Sequence, residues 1–310
     1  MNQNAVDLVD ARKNYGSVEA LRGVSFSIDQ GEVVAVLGPN GAGKTTCINL
    51  MMGLRRPTAG TVRLYGLDPG DRRARSRCGV MLQESGISDI LTVRETVNLF
   101  RTYYPDPLPV DRAIAMAGLA EQSGVKVVKL SGGQRQRLYY ALAVCGDPDT
   151  VFLDEPTVGM DVESRRAFHA GIREFAARGK TMLLTTHYLE EADELAQRIL
   201  VFDRGRLVAD ASPEQIKSRV AGRRVSFSAQ PPLSEADFAG MPVSQLEIGG
   251  DRVRLFTNAP EVVLGALFRR DVPIRNLEVV GADLEEAFLS LTGHESTEEP
   301  VGAARAEEVS

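Results

Sequence analysis

Val33-Val34-Ala35-Val36-Leu37, followed at once by Gly38-Pro39-Asn40-Gly41-Ala42-Gly43-Lys44-Thr45-Thr46, is the stretch on which the fold turns. Five consecutive apolar residues, three of them valine, read as a strand buried on both faces. The run Thr46 to Leu54 reads as a helix, so a glycine-rich turn of the form G-x-x-x-x-G-K-[ST] stands between strand and helix. Its glycines let the backbone turn tightly, so that successive N–H groups point inward and cradle phosphate oxygens, and the following helix adds its positive N-terminal end. Lys44 would neutralise the β and γ phosphates of a nucleotide, and Thr45 would place its hydroxyl on Mg²⁺.

Outward from this loop, further short apolar runs appear at Val151-Phe152-Leu153 and at Thr181-Met182-Leu183-Leu184-Thr185, separated by longer helical patterns. That alternation predicts an α/β fold with a mostly parallel sheet and helices on both faces. Ala5 to Ala11 and Leu21 to Ile28 alternate apolar and polar residues, which predicts partly exposed antiparallel strands. Residues 88–145 are predominantly helical in pattern. The strand Val151 to Leu153 ends in Asp154-Glu155, which delivers two carboxylates to the carboxyl edge of the sheet. Side chains alternate along a strand, so the two acids point apart: Asp154 is assigned to the metal and Glu155 to the attacking water. A lone acid pair after a strand would otherwise read as a helix cap.

The 36 basic residues against 42 acidic ones leave a net charge of −6, so no global positive field draws in a polyanion and phosphate binding must be local. Cys47, Cys78 and Cys145 form no CxxC pair, which supports neither a disulfide framework nor a zinc site and favours a reducing cytoplasm. The longest apolar runs fall far short of the ~18 residues needed to span a bilayer, and Met1 to Asp7 lacks the layout of a signal peptide. The arginines of Arg72-Arg73-Ala74-Arg75-Ser76-Arg77 are most simply a solvated loop.

Composition and pattern divide the chain into three sections. Residues 1–215 carry the phosphate loop, with the helical stretch 88–145 inside them. Residues 216–293 read as a small α/β unit: strands at Val225 to Ser228, at Leu246 to Phe256 turning at Gly249-Gly250, and at Ile274 to Val280, with helices at Pro260 to Arg270 and Asp283 to Leu291. Residues 294–310, rich in glutamate and poor in large apolar groups, read as a disordered acidic tail.

Leu130-Ser131-Gly132-Gly133-Gln134 adds a second anion-receiving element, with Ser131 as an N-cap and two glycines baring backbone N–H groups at the mouth of the helix Gln134 to Val144. Alone, a Gly-Gly pair is only a turn. Together with Gly38 to Thr46 and Asp154-Glu155-Pro156-Thr157, in this order, it resembles the signature set of ABC-type ATPases. The resemblance implies a P-loop cassette with a mostly parallel sheet, antiparallel N-terminal strands and a helical subdomain, binding ATP with Mg²⁺. It also implies a homodimer, because in that family Ser131, Gly132, Gly133 and Gln134 would face the phosphate loop of a second copy.

Carried over by position, the resemblance makes Tyr15 the aromatic that stacks on adenine, Gln83 the glutamine that reaches metal and water, His187 the histidine on the γ-phosphate, and Asp161 the aspartate of the loop joining the two subunits. Met160 and Val162 stand where leucine and proline are usual, which affects only the fine geometry of that loop. The segment Asp283 to Gly293 resembles the accessory domain of ATPase subunits of daunorubicin-resistance-type exporters. The implied activity is ATP hydrolysis that drives a separate integral-membrane permease, with the chain peripheral on the cytoplasmic face of a bacterial cell membrane. A soluble ABC ATPase acting on nucleic acid or ribosomes is the competing reading; the net negative charge and the lack of heptad arms, zinc cysteines or a second cassette count against it, and no nucleic acid is expected.

Overall fold

Chain order begins β1 (Asn4–Tyr15), β2 (Val18–Asp29), β3 (Val33–Leu37), α1 (Lys44–Met51), β4 (Ala59–Leu64), α2 (Arg72–Arg75) and β5 (Cys78–Met81). Three helices follow, α3 (Val93–Arg101), α4 (Val110–Met116) and α5 (Gly132–Val144), with a single 3-10 turn at Val127–Lys129. The alternation then resumes as β6 (Thr150–Asp154), α6 (Val162–Ala177), β7 (Thr181–Thr185), α7 (Leu189–Leu195), β8 (Arg198–Asp203), β9 (Arg206–Ala211) and α8 (Pro213–Arg219). This is a computed structural model describing residues 4–82, 86–219, 223–281 and 284–292. The chain divides into two units, Met1–Arg219 and Val220–Ser310.

Six strands form the central sheet in the order β5-β6-β7-β3-β8-β9. All neighbours are parallel except the β8–β9 hairpin. Every residue of β3, β6 and β7 is buried, as their unbroken apolar runs require of strands covered on both faces. The alternating N-terminal segments pair antiparallel as β1 and β2 and continue into β4, a second sheet of order β2-β1-β4. Its inner face, with Leu8, Leu21 and Phe26, joins one core with Ile48 and Met51 of α1 and with Phe152, Leu183, Leu200 and Phe202 of the central sheet. Phe26 meets Phe202 edge to face at 6.4 Å between ring centroids.

Between β5 and β6 the chain is helical. Thr92 opens α3 with a reciprocal capping box to Glu95. Helix α5 buries every residue from Leu138 to Val144, so its C-terminal half is covered all round. The arginine run differs from the solvated loop expected of it. Asp71 caps α2 by accepting from the Arg73 N–H, Arg75 donates to the carbonyls of Gly53 (2.7 Å) and Pro69 (3.2 Å), and Arg77 pairs with Asp149 while its guanidinium lies 3.4 Å from the Tyr65 ring centroid. Backbone carbonyls and an aromatic face, invisible in a local charge count, hold these cations in place. Cys47, Cys78 and Cys145 are free and buried, and burial pushes the thiols of Cys47 and Cys78 up to about 12.

The second unit is a four-stranded antiparallel sheet of order β11-β12-β10-β13, made of β10 (Arg223–Ala229), β11 (Gln245–Gly249), β12 (Arg252–Thr257) and β13 (Ile274–Gly281). Helix α9 (Pro260–Arg269) starts with proline in its first turn and buries Val263 and Leu267 against Val225, Phe227, Val253 and Leu255. Helix α10 spans Leu284–Thr292, with Leu284 and Ala287 buried. The acidic stretch 294–310 lies outside the described residues. Among the described residues no helix is long and apolar enough to cross a membrane.

Candidate active site

Strand order assembles the site. β6, β7 and β3 lie side by side and parallel, so the segments leaving their carboxyl ends emerge at one edge of the sheet. Those segments are Asp154-Glu155 at the end of β6, Thr186-His187 after β7 and the loop Gly38 to Gly43 after β3. Residues separated by more than a hundred positions become neighbours because their strands do.

In the loop, Pro39 is partly exposed, Asn40 and Gly41 are exposed, and Ala42 is buried. Gly43 stands immediately before α1 with φ at 105°, and a Cβ there would lie 2.6 Å from the carbonyl oxygen of Ala20. Only glycine fits both demands. No side chain caps α1, so the N–H groups of its first turn, around Lys44, Thr45 and Thr46, are left for a ligand. Thr45 is exposed and Thr46 half-buried. Lys44 is 7% exposed and turns its ammonium back to the carbonyls of Gly38 (2.6 Å) and Pro39 (3.2 Å). Burial holds that ammonium below the usual lysine range, while the charges of Glu155 and Asp154 pull it back up.

Asp154 ends β6 and is 4% exposed. Its Oδ1 accepts a 2.6 Å hydrogen bond from the Thr185 hydroxyl, which in turn accepts from the Glu155 backbone N–H at 2.9 Å. Burial raises the Asp154 carboxyl above the ordinary aspartate range; the Thr185 hydrogen bond and Lys44 oppose the rise and Glu155 reinforces it. Glu155 takes φ 48°, the left-handed region, and so leaves the strand direction just beyond Asp154. Its Oε2 lies 3.7 Å from His187 Nδ1, on a histidine whose side chain is 47% exposed. Thr185 is the residue that local reasoning misses. It reads as the last residue of a core strand, and its role comes from the register that pairs it with Asp154 across β6 and β7.

A second group forms at the mouth of α5. Ser131 caps the helix, accepting from the Gln134 N–H (3.2 Å) while the Gln134 side chain accepts from the Ser131 N–H (3.0 Å). Gly132 is exposed with open space where a Cβ would sit, whereas a Cβ on Gly133 would lie 3.2 Å from the Ser164 hydroxyl. Gly133 thus packs against the start of α6, whose N-cap is Asp161; the Ser164 N–H bond to Asp161 holds that exposed carboxylate below its usual range. Among the described residues no hydrogen bond or ion pair links this group to Lys44 or Glu155. Tyr15 ends β1 at a hairpin tip, 44% exposed, with the Lys13 ammonium 5.1 Å from its ring centroid. Gln83 lies outside the described residues.

Comparison with known proteins bears on this arrangement. A model of the family described as "ABC transporter" matches residues 21–158. The Nod factor export ATP-binding protein I of Burkholderia orbicola (strain AU 1054) is 36% identical over 303 residues, covering 95% of this chain and 99% of that protein. The chain belongs to the ABC transporter family. As an ATP-binding subunit of that family, it hydrolyses ATP to drive transport. Two solved structures share the fold. A dimeric ATP-binding cassette in a post-hydrolysis state with ADP and Pi aligns with TM-score 0.61 and 26% identity, over 67% of this chain and 98% of that one. A bacterial Atm1-family ABC exporter with ATP bound aligns with TM-score 0.64 and 26% identity, over 71% of this chain and 40% of that one. The ABC ATPase reading thus rests on motif, geometry and likeness together, and nothing among these findings favours action on nucleic acid or ribosomes.

Proposed function

We propose that this ABC ATPase is the motor of an exporter, closing as a homodimer on two nucleotides and driving a separate membrane permease from the cytoplasmic face. The observation that carries the reading is the convergence of Lys44, Asp154, Glu155 and His187 on one sheet edge, beside an uncapped helix N-terminus. In this reading the loop Gly38, Pro39, Asn40, Gly41, Ala42 and Gly43 wraps the phosphates, its free backbone N–H groups and those of the first turn of α1 donating to them, while Pro39, which has no N–H, only shapes the turn, and Tyr15 stacks on the base. Export is favoured by the likeness to the Nod factor export ATP-binding protein I of Burkholderia orbicola.

The donor set suits Mg²⁺. A hard divalent ion is commonly held by one carboxylate, a hydroxyl and the nucleotide's own phosphates rather than by a dedicated protein cage. Asp154, buried beside Lys44, and the hydroxyl of the exposed Thr45 supply those donors, with Gln83 as a further one; among the described residues no three His, Cys, Asp or Glu side chains converge as a cage. The ion would neutralise charge on the β and γ phosphates. Glu155 accepts the proton of a water as its oxygen bonds to the γ-phosphorus and the bond to the β-phosphate oxygen breaks, releasing ADP and inorganic phosphate. His187 donates a hydrogen bond to the transferred group. Ser131, Gly132, Gly133, Gln134 and Asp161 stand apart from Lys44 within one chain, and in our reading they complete the site of the partner subunit, so ATP joins two surfaces and favours closure to the extent that it binds the closed dimer more tightly.

We assign Met1–Arg219 as the cassette, with its helical subdomain at about 88–145, and the unit beginning at Val220 as an accessory domain. The test is affinity purification from detergent-solubilised membranes. Recovery of a multi-spanning permease whose presence stimulates ATP hydrolysis supports the reading; recovery of ribosomes or DNA alone overturns it.

A further inference from the structure

His169 is one of three histidines in the chain and the most buried of those described, 4% exposed in the middle of α6. Both of its ring nitrogens meet carboxylates of α7: Nε2 lies 3.1 Å from Glu191 Oε1 and Nδ1 lies 3.0 Å from Glu194 Oε2. Each ring nitrogen thus has a carboxylate oxygen within hydrogen-bond distance. Glu194 is held ionised by Arg173, which donates to its other oxygen at 2.7 Å. Glu191 is 1% exposed, and its second oxygen accepts a 3.2 Å hydrogen bond from Thr157, also 1% exposed. Thr157 sits in the turn that begins at Glu155, where the Val158 N–H donates to the Glu155 carbonyl and the Met160 N–H donates to the Thr157 carbonyl.

A continuous line of buried polar contacts therefore runs from α6 through His169 and Glu191 to Thr157, two residues from the carboxylate assigned to the water. The same histidine fixes α7, whose first residue, Leu189, is two positions after His187. Two other cations of α6 also face α7: Arg173 shares Glu194, and the Arg165 guanidinium lies 4.3 Å from the Tyr188 ring centroid. Arg112 of α4 pairs with Glu174, Arg137 of α5 donates to the Gly118 carbonyl, and Tyr140 of α5 donates to the Gly171 carbonyl. The ring's own partners are Glu191 and Glu194.

We propose that His169 is a positioning residue for ATP hydrolysis: by gripping Glu191 and Glu194 at once it locks α7 to α6 and, through Glu191 and Thr157, sets the turn that aims Glu155. The proposal rests on the reading of Glu155 given above. His169, Glu191 and Thr157 are all buried away from the surface a nucleotide would meet, so the loss of this arrangement should lower kcat and leave binding alone. A displacement of the reacting groups by an ångström or less suffices for a large loss of rate.

The test uses the full-length protein. His169→Phe keeps a ring but no hydrogen bond and should lower kcat about tenfold with KM for ATP changed less than about twofold. His169→Gln, which still donates an N–H, should recover part of the loss. Thr157→Val severs only the last link and should lower kcat to a similar degree. In the double variant the losses should not multiply, because both act through one chain of contacts. A folded His169→Phe protein with wild-type kcat, or losses that multiply in the double variant, overturns the proposal. Should His169→Phe fail to fold, Thr157→Val alone and combined with His169→Gln carries the same cycle. Failure of the Glu155 reading is separately visible, because Glu155→Gln would then retain turnover whatever the cycle reports.

Discussion

Thr185 holds Asp154 and Glu155 with a single hydroxyl, donating 2.6 Å to the Asp154 carboxylate and accepting 2.9 Å from the Glu155 backbone N–H. One side chain from β7 thus sets where β6 ends and where its two acids diverge. The carboxylate that we assign to the metal is held buried, and the next residue is turned into the left-handed region, its carboxylate 3.7 Å from His187 Nδ1.

The first prediction concerns Glu155. Glu155→Gln keeps size and hydrogen bonding but cannot accept the proton of the water. ATP turnover, followed by phosphate release, should fall by about 100-fold or more, the usual range for a general base, while size-exclusion chromatography with ATP should show a stabilised dimer.

Lys44 should act on binding instead. Its ammonium donates to the carbonyls of Gly38 and Pro39, at the start of the phosphate loop. A hydrogen bond to a charged partner contributes about 1.5–3 kcal/mol, so Lys44→Ala should weaken ATP affinity by about 10- to 100-fold in equilibrium titration.

Asp154 is a case where function opposes stability. Burial raises its carboxyl, so the folded state holds that proton more tightly than the unfolded chain. Its contribution therefore favours folding at low pH and declines as pH rises from about 3.9, the unfolded aspartate value, through the raised folded value. Asp154→Asn keeps the acceptor for Thr185 and removes the buried charge. Thermal melts of the nucleotide-free protein at neutral pH should show a gain on the order of 1 kcal/mol, and turnover should be lost.

Gly132 offers a clean test of the second group. Open space surrounds the position where its Cβ would stand, so Gly132→Asp should fold with a wild-type melting temperature. The added carboxylate faces the phosphate that the partner subunit would present. Nucleotide should still bind to the monomer in titration, while ATP-driven dimerisation in light scattering should disappear.

The described fold was largely legible. Val33–Leu37 is β3 residue for residue, and the apolar runs at 151–153 and 181–185 lie within β6 and β7, because an unbroken apolar run of that length admits few alternatives when glycine or acids bound it. Ser131 as an N-cap was readable from the residue type and the glutamine three positions on. The anchoring of Arg75 and Arg77 was not, since the groups that hold them belong to other segments.

Local order in the chain was enough to determine the phosphate loop, the carboxylates at a strand end and the capped helix mouth, because each is set within a few residues by backbone sterics and side-chain period. Only the tertiary structure decided that β6, β7 and β3 are neighbours, that Thr185 falls opposite Asp154, and that His169 meets two carboxylates of α7. Those relations depend on strand register and on the rotation of one helix against another, which the packing of the whole core sets and no local pattern contains.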